Sequence, residues 1–143
     1  MKLKIAFAVN SNSQFEKNHF GDSHKFLIYE ADSGNLKLFS EEVNVFRDLD
    51  EFEGHGSVKK GLAIIDFLKK KGVKVLVSMQ FGKNIRMINE HFAPVIIYSD
   101  KPEQVIHILN HHMHWIVDEL EKSSSNYSLF TIKSGILKTV VKK

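Results

Sequence analysis

Histidines and glycines meet in three short turns: His19-Phe20-Gly21-Asp22-Ser23-His24, Gly54-His55-Gly56-Ser57 and Gln80-Phe81-Gly82-Lys83-Asn84. Neutral imidazoles at His19, His24 and His55 suit iron, copper, nickel or zinc, and a site with few ligands leaves positions open for exchange. Gly54 and Gly56 let the backbone turn tightly and approach a ligand, while Ser57 is placed to cap a following helix whose free N–H groups favour an anion. Gly82 permits a close backbone approach, and Lys83 is placed to balance an anionic ligand. Each turn also has a plainer reading: a capped loop with His55 merely hydrogen-bonded, exposed histidines at His19 and His24, and an ordinary strand-to-helix turn at Gly82.

A fourth constellation lies further along. At ~100° per residue, a helix after Pro102 puts Val105, Ile106, Leu109, Met113, Ile116, Val117 and Leu120 on one face. His107, His111, His114 and Asp118 then fall on the opposite face, either as a second divalent-metal site, as a pH-sensitive contact with another chain, or as a solvated polar surface. His112 falls at the apolar border and is expected to pack.

The chain has no cysteine, which excludes disulfides, thiolate zinc sites and cysteine nucleophiles. It has no GxSxG, P-loop or HExxH pattern, and the first strand candidate, Ile5–Val9, contains no acid of the kind a two-metal nuclease places on its sheet. No catalytic residue is assigned, and a non-enzymatic protein is expected. The net charge of +3 comes from dispersed lysines, and Lys69–Lys71 read as a helix C-terminus offsetting its dipole, so nucleic acid is not an expected partner. No apolar run approaches ~20 residues and no signal pattern opens the chain, so a cytoplasmic protein without membrane association is expected.

The elements that must position these turns follow from periodicity. Ile5–Val9 is a continuous apolar run suited to a strand buried on both faces, and Val73–Val77 reads as another buried-type strand. Phe26–Ala31 and Leu36–Val43 flank Asp32-Ser33-Gly34-Asn35 and predict a hairpin. A helix is predicted from about Ser57 to Lys71 with Val58, Leu62, Ile65 and Leu68 inward, stopped by Gly72. Gly82–His91 predicts another helix, Pro94–Tyr98 a strand, and Pro102 the first turn of a long helix reaching about Lys122. Ser123–Asn126 reads as a linker. Tyr127–Val141 reads as a terminal hairpin that covers a sheet edge or pairs with another chain. The β-α-β-α-β run implies parallel strands and a mixed five-stranded sheet with helices on its faces.

These residues resemble the dinitrogenase iron–molybdenum cofactor biosynthesis family, which includes NifX and the C-terminal region of NifB. The resemblance covers Met1 to about Ser99: the strand Lys4–Val9, His19-Phe20-Gly21 leading to Phe26–Tyr29, Asn44-Val45-Phe46-Arg47, Gly54-His55-Gly56, the run Gly61–Val77 and the turn at Gly82. It implies a ribonuclease H-like three-layer α/β/α fold without nuclease activity, as a NifX-like domain over residues 1–100; the helix and hairpin over 101–143 lie outside the likeness and are expected as an extension packed on the same domain. It further implies a carrier or sensor of an iron–sulfur or iron–molybdenum cluster, its precursor, or an oxyanion such as molybdate, exchanging cargo with donor and acceptor proteins. Carried residue by residue, the cargo would meet His19 and His55 directly, with His24 and Lys83 secondary and Gly21, Gly54, Gly56, Ser57 and Gly82 shaping the backbone. Some members carry a cysteine near the Gly-His-Gly turn where this chain has Ser57, so any hold here must come from histidine, backbone amides and charge. The alternative reading is a protein–protein interaction module without metal, forming a homodimer through the C-terminal extension.

Overall fold

The computed structural model describes residues 3–32, 34–48, 58–82 and 85–140, and every strand among them joins one sheet. Along the chain come β1 (Lys4–Val9), β2 (Lys25–Asp32), β3 (Asn35–Val43), α1 (Val58–Lys70), β4 (Val73–Ser78), α2 (Ile85–Asn89), β5 (Ala93–Ile97), α3 (Pro102–His111), α4 (Met113–Lys122), β6 (Leu129–Lys133) and β7 (Ile136–Val140). The strand order is β3-β2-β1-β4-β5-β6-β7. β1, β4, β5 and β6 run parallel, and β2 and β7 run antiparallel to their neighbours.

The sheet is buried on both faces because its central strands are apolar at nearly every position, Lys4, Lys74 and Ser78 excepted. Ile5, Phe7 and Val9 of β1 join Val75, Val77, Val95 and Ile97 under α3 and α4, whose Val105, Leu109, Met113 and Ile116 cover them. Ala6 and Ala8 point the other way, toward Ile64, Ile65 and Leu68 of α1 and Ile88 of α2. Each large side chain so buried contributes roughly 1.5–3 kcal/mol. The result is helix, sheet, helix in three layers.

Two expectations are corrected here. The sheet has seven strands, not five: Phe130, Ile132 and Leu137 of the terminal hairpin enter the same core, and β6 pairs in parallel with β5. β5 is apolar on both faces and would make a poor edge, so the hairpin covers it. The long helix after Pro102 is also interrupted. His112, at φ −122° and ψ 22°, separates α3 from α4, and its N–H is shared between the carbonyls of Ile108 and Leu109. The interruption turns the two halves so that Val105, Ile108 and Leu109, then Met113 and Ile116, all reach the sheet.

Smaller differences have the same kind of cause. Leu62 of α1 is half exposed and Ile64 takes the inward place assigned to it. α2 is shorter than Gly82–His91, because Gly82, at φ +62°, belongs to the turn before it. Gly72, at φ +83°, ends the helix α1 as expected.

Candidate functional site

The carboxyl ends of β1 and β4 lie side by side at one edge of the sheet, where loops from α/β crossovers gather. The first and third turns meet there. His19 and Gln80 form an isolated parallel bridge, and the Phe20 N–H donates to the Gln80 carbonyl at 3.0 Å. Phe20 and Phe81, both buried, pack ring to ring at 5.9 Å beneath them. The side-chain amide of Gln80 donates to the Lys17 carbonyl at 2.9 Å, closing a small cleft of about 170 Å³ lined by Asn18, His19, Asp22 and Gln80.

Within this frame the His19 imidazole lies against Gly82. A Cβ on Gly82 would stand 2.7 Å from Nε2, 2.9 Å from Cε1 and 3.1 Å from Cδ2, so only glycine leaves the ring its place. Nδ1 of His19 and Nδ1 of His24 are both buried without a hydrogen-bond partner. An orphaned buried nitrogen costs roughly 1–3 kcal/mol, and a lone pair there is what a metal or a ligand proton would satisfy. His24 stands at the start of β2, its N–H on the Val9 carbonyl and its carbonyl accepting from Asn44, and its ring does not line the cleft.

The loop around His19 is held by residues that the sequence reading did not assign to the site. Lys60, in the first turns of α1, makes a 2.8 Å ion pair with Asp22, with side-chain exposures of 6% and 15%. The lysine stem crosses directly over Gly21, where a Cβ would stand 3.1 Å from Cε of Lys60. Asn44, buried at the end of β3, donates through Nδ2 to the carbonyls of Gly21 and Ser23 at 3.0 and 2.9 Å. Ser23 turns its hydroxyl onto the Phe20 carbonyl at 2.8 Å. Asn44 was visible as the first residue of the Asn44-Val45-Phe46-Arg47 mark but without a role, and Lys60 only as one more helical lysine.

Gly54, His55, Gly56, Ser57 and Lys83 lie outside the described residues. The four-residue stripe on the terminal helix is not gathered into one site. All four residues are exposed; His107 and His111 lie on α3 with ring centroids 4.4 Å apart, while His114 and Asp118 belong to α4. His114 turns beyond the interruption and meets Trp115, and His112 stacks on the same indole at 4.5 Å. Among the described residues no group of three or more His, Cys, Asp or Glu is arranged to hold a metal ion. Nor, among them, is any helix long and apolar enough to cross a membrane.

The cleft lined by His19 thus lies at the carboxyl edge of parallel strands in a three-layer α/β/α unit, the place where open α/β sheets as a class hold ligands. The comparisons narrow that class. The sequence matches the family described as dinitrogenase iron-molybdenum cofactor over residues 1–111, and the chain belongs to that family. No curated protein matches the chain. The family match extends through the whole of α3 and stops before α4, β6 and β7.

Proposed function

We propose that this protein is a non-enzymatic carrier or sensor of a metal cluster of the iron–sulfur or iron–molybdenum type, or of a related oxyanion, held at the cleft around His19. The observation that carries the reading is the buried, unpartnered Nδ1 of His19 in a ring fixed between Gln80 and Gly82. Family membership supplies the class of cargo. The donor set fits a light, exchangeable hold better than a closed cage. The chain has no thiolate to offer, and the described residues bring one imidazole to the cleft, with His24 nearby in sequence. A cargo held by one or two imidazoles keeps open positions for transfer to an acceptor protein. His55 and Lys83, on the flanking turns of the sequence, are the further contacts in this reading.

The strand order β3-β2-β1-β4-β5 with β2 antiparallel supports the ribonuclease H-like reading of the fold. A role without catalysis is supported by β1, whose buried residues are all apolar and include no carboxylate for two-metal chemistry. The interaction-module alternative loses its strongest support, since the terminal hairpin places Phe130, Ile132 and Leu137 in the chain's own core.

The test is anaerobic reconstitution of the full chain with an iron–molybdenum cluster, read by metal content and visible charge-transfer bands. Wild type should take up cargo, while His19→Ala and His55→Ala should lose it without loss of thermal stability. Equal uptake by both variants would remove the imidazoles from the site.

A further inference from the structure

Away from that cleft, the outer face of α3 carries a second arrangement of ligating groups. His107 and His111 sit one turn apart near the C-terminus of the helix, both exposed, with ring centroids 4.4 Å apart. Nδ1 of His111 lies 3.1 Å from the carbonyl oxygen of His107. A carbonyl oxygen only accepts, so Nδ1 must donate, and the tautomer is thereby fixed with the lone pair on Nε2. This is the arrangement in which a metal-binding histidine is ordinarily held: one ring nitrogen donating to a carbonyl, the other free to ligate. The His107 ring carries no hydrogen bond among the described residues, so either of its nitrogens is available.

The surrounding field favours a cation. Glu103, one further turn toward the N-terminus, shares with His107 and Asp100 a cleft of about 620 Å³ between α3 and the turn of the β6–β7 hairpin. Asp100 is anchored there by the Gly135 N–H at 3.1 Å. The C-terminal turn of α3 adds the negative end of the helix dipole beneath His111.

We infer that His107 and His111 form a two-imidazole chelate for a borderline divalent cation of the copper, nickel or zinc kind, separate from the His19 cleft. Two protein ligands leave the remaining coordination positions to water or to a group from another molecule, which makes the site one of rapid exchange. Uptake should follow the order copper above nickel and zinc, since the donors are nitrogen alone. It should weaken on acidification, because protons compete for the same lone pairs.

The experiment is equilibrium titration of the full chain with Ni²⁺ and with Zn²⁺, with histidine side-chain NMR to locate the bound ion. Wild type and His114→Gln should bind alike, with the His107 and His111 signals shifted first. His107→Gln and His111→Gln should each weaken binding by at least about tenfold, since loss of a partner behind a ligand already costs that much. His111→Gln combined with Lys138→His keeps the number of histidines but abolishes the one-turn spacing, and should be as weak as His111→Gln alone. Wild-type affinity in His107→Gln, or in the relocated-histidine variant, would overturn the chelate. So would loss of binding in His114→Gln.

Discussion

Gly82→Ala tests whether the His19 ring is held in place by the turn that faces it. Two costs are expected. An alanine at φ +62° carries about 1 kcal/mol of left-handed backbone strain. Its methyl would also press three atoms of the imidazole, at 2.7, 2.9 and 3.1 Å. The contact is broadside, so sliding does not relieve it. The backbone of His19 cannot retreat either, because it bridges Gln80 and is followed by the Phe20–Gln80 hydrogen bond at 3.0 Å. The ring must rotate off its rotamer, at about another 1 kcal/mol. Together these destabilise by about 2 kcal/mol, a fall in Tm of about 6 °C for a chain of this size. Gly135→Ala is the control: φ is +79°, nothing lies within 4 Å of its Cβ, and only the backbone strain applies, about 3 °C. In thermal unfolding of Gly82→Ala, His19→Ala and the double variant, the coupling energy should be about 1 kcal/mol, because without the imidazole the methyl meets nothing from it. Additive effects, or a Gly82→Ala no worse than Gly135→Ala, would refute the proposed contact.

Further expectations follow from single features. Lys60→Met removes one partner of the Asp22 carboxylate in a mostly buried pair and should cost more by chemical denaturation than Lys70→Met, which at an exposed pair should cost under about 1 kcal/mol. Equal effects would mean that the buried pair is well solvated in solution. Glu119→Ala removes the acceptor of the Ser128 N–H at 2.8 Å and the Ser123 hydroxyl at 3.0 Å, and should cost roughly 1–3 kcal/mol. Hydrogen exchange at Ser128 should quicken with it. The Tyr29 phenol is pushed above its ordinary value, first by burial and then by the charges of Glu41 and Glu103. The folded state therefore holds this proton more tightly than the unfolded one. Its stabilising contribution is complete below about pH 10 and is lost as pH rises toward the folded value. Ultraviolet titration of tyrosinate should show one late phenol that disappears in Tyr29→Phe.

What the sequence made legible was what local periodicity encodes. β1, β4 and β5 read directly because strands buried on both faces are apolar at most positions on either side, and the hairpin of β2 and β3 read from its Asp-Ser-Gly-Asn turn. The terminal hairpin read as one that covers a sheet edge or pairs with another chain, but its joining the sheet as two further strands beside β5 did not, because nothing in Tyr127–Val141 names the edge it meets. The interruption at His112 was hidden for a similar reason. No proline or glycine marks it, and it follows from the path α3 and α4 must take to keep both apolar faces on one sheet.

The candidate site divides along the same line. Residue type announced His19 and Gly82, but their contact is tertiary: a bridge between segments some sixty residues apart sets the ring on the glycine. The supports, Lys60 against Asp22 and Asn44 against Gly21 and Ser23, are long-range polar pairs between residue types found on any surface, and only burial distinguishes them. The histidine stripe shows the opposite limit. Helical spacing correctly placed His107, His111, His114 and Asp118 on an exposed face, yet one residue of irregular backbone between His111 and His114 split four candidate ligands into two pairs, one on α3 and one on α4. Spacing within a helix assigns neighbours only as far as the helix continues, so chemistry can be built only within one pair, and His107 with His111 is the pair of imidazoles whose rings lie together.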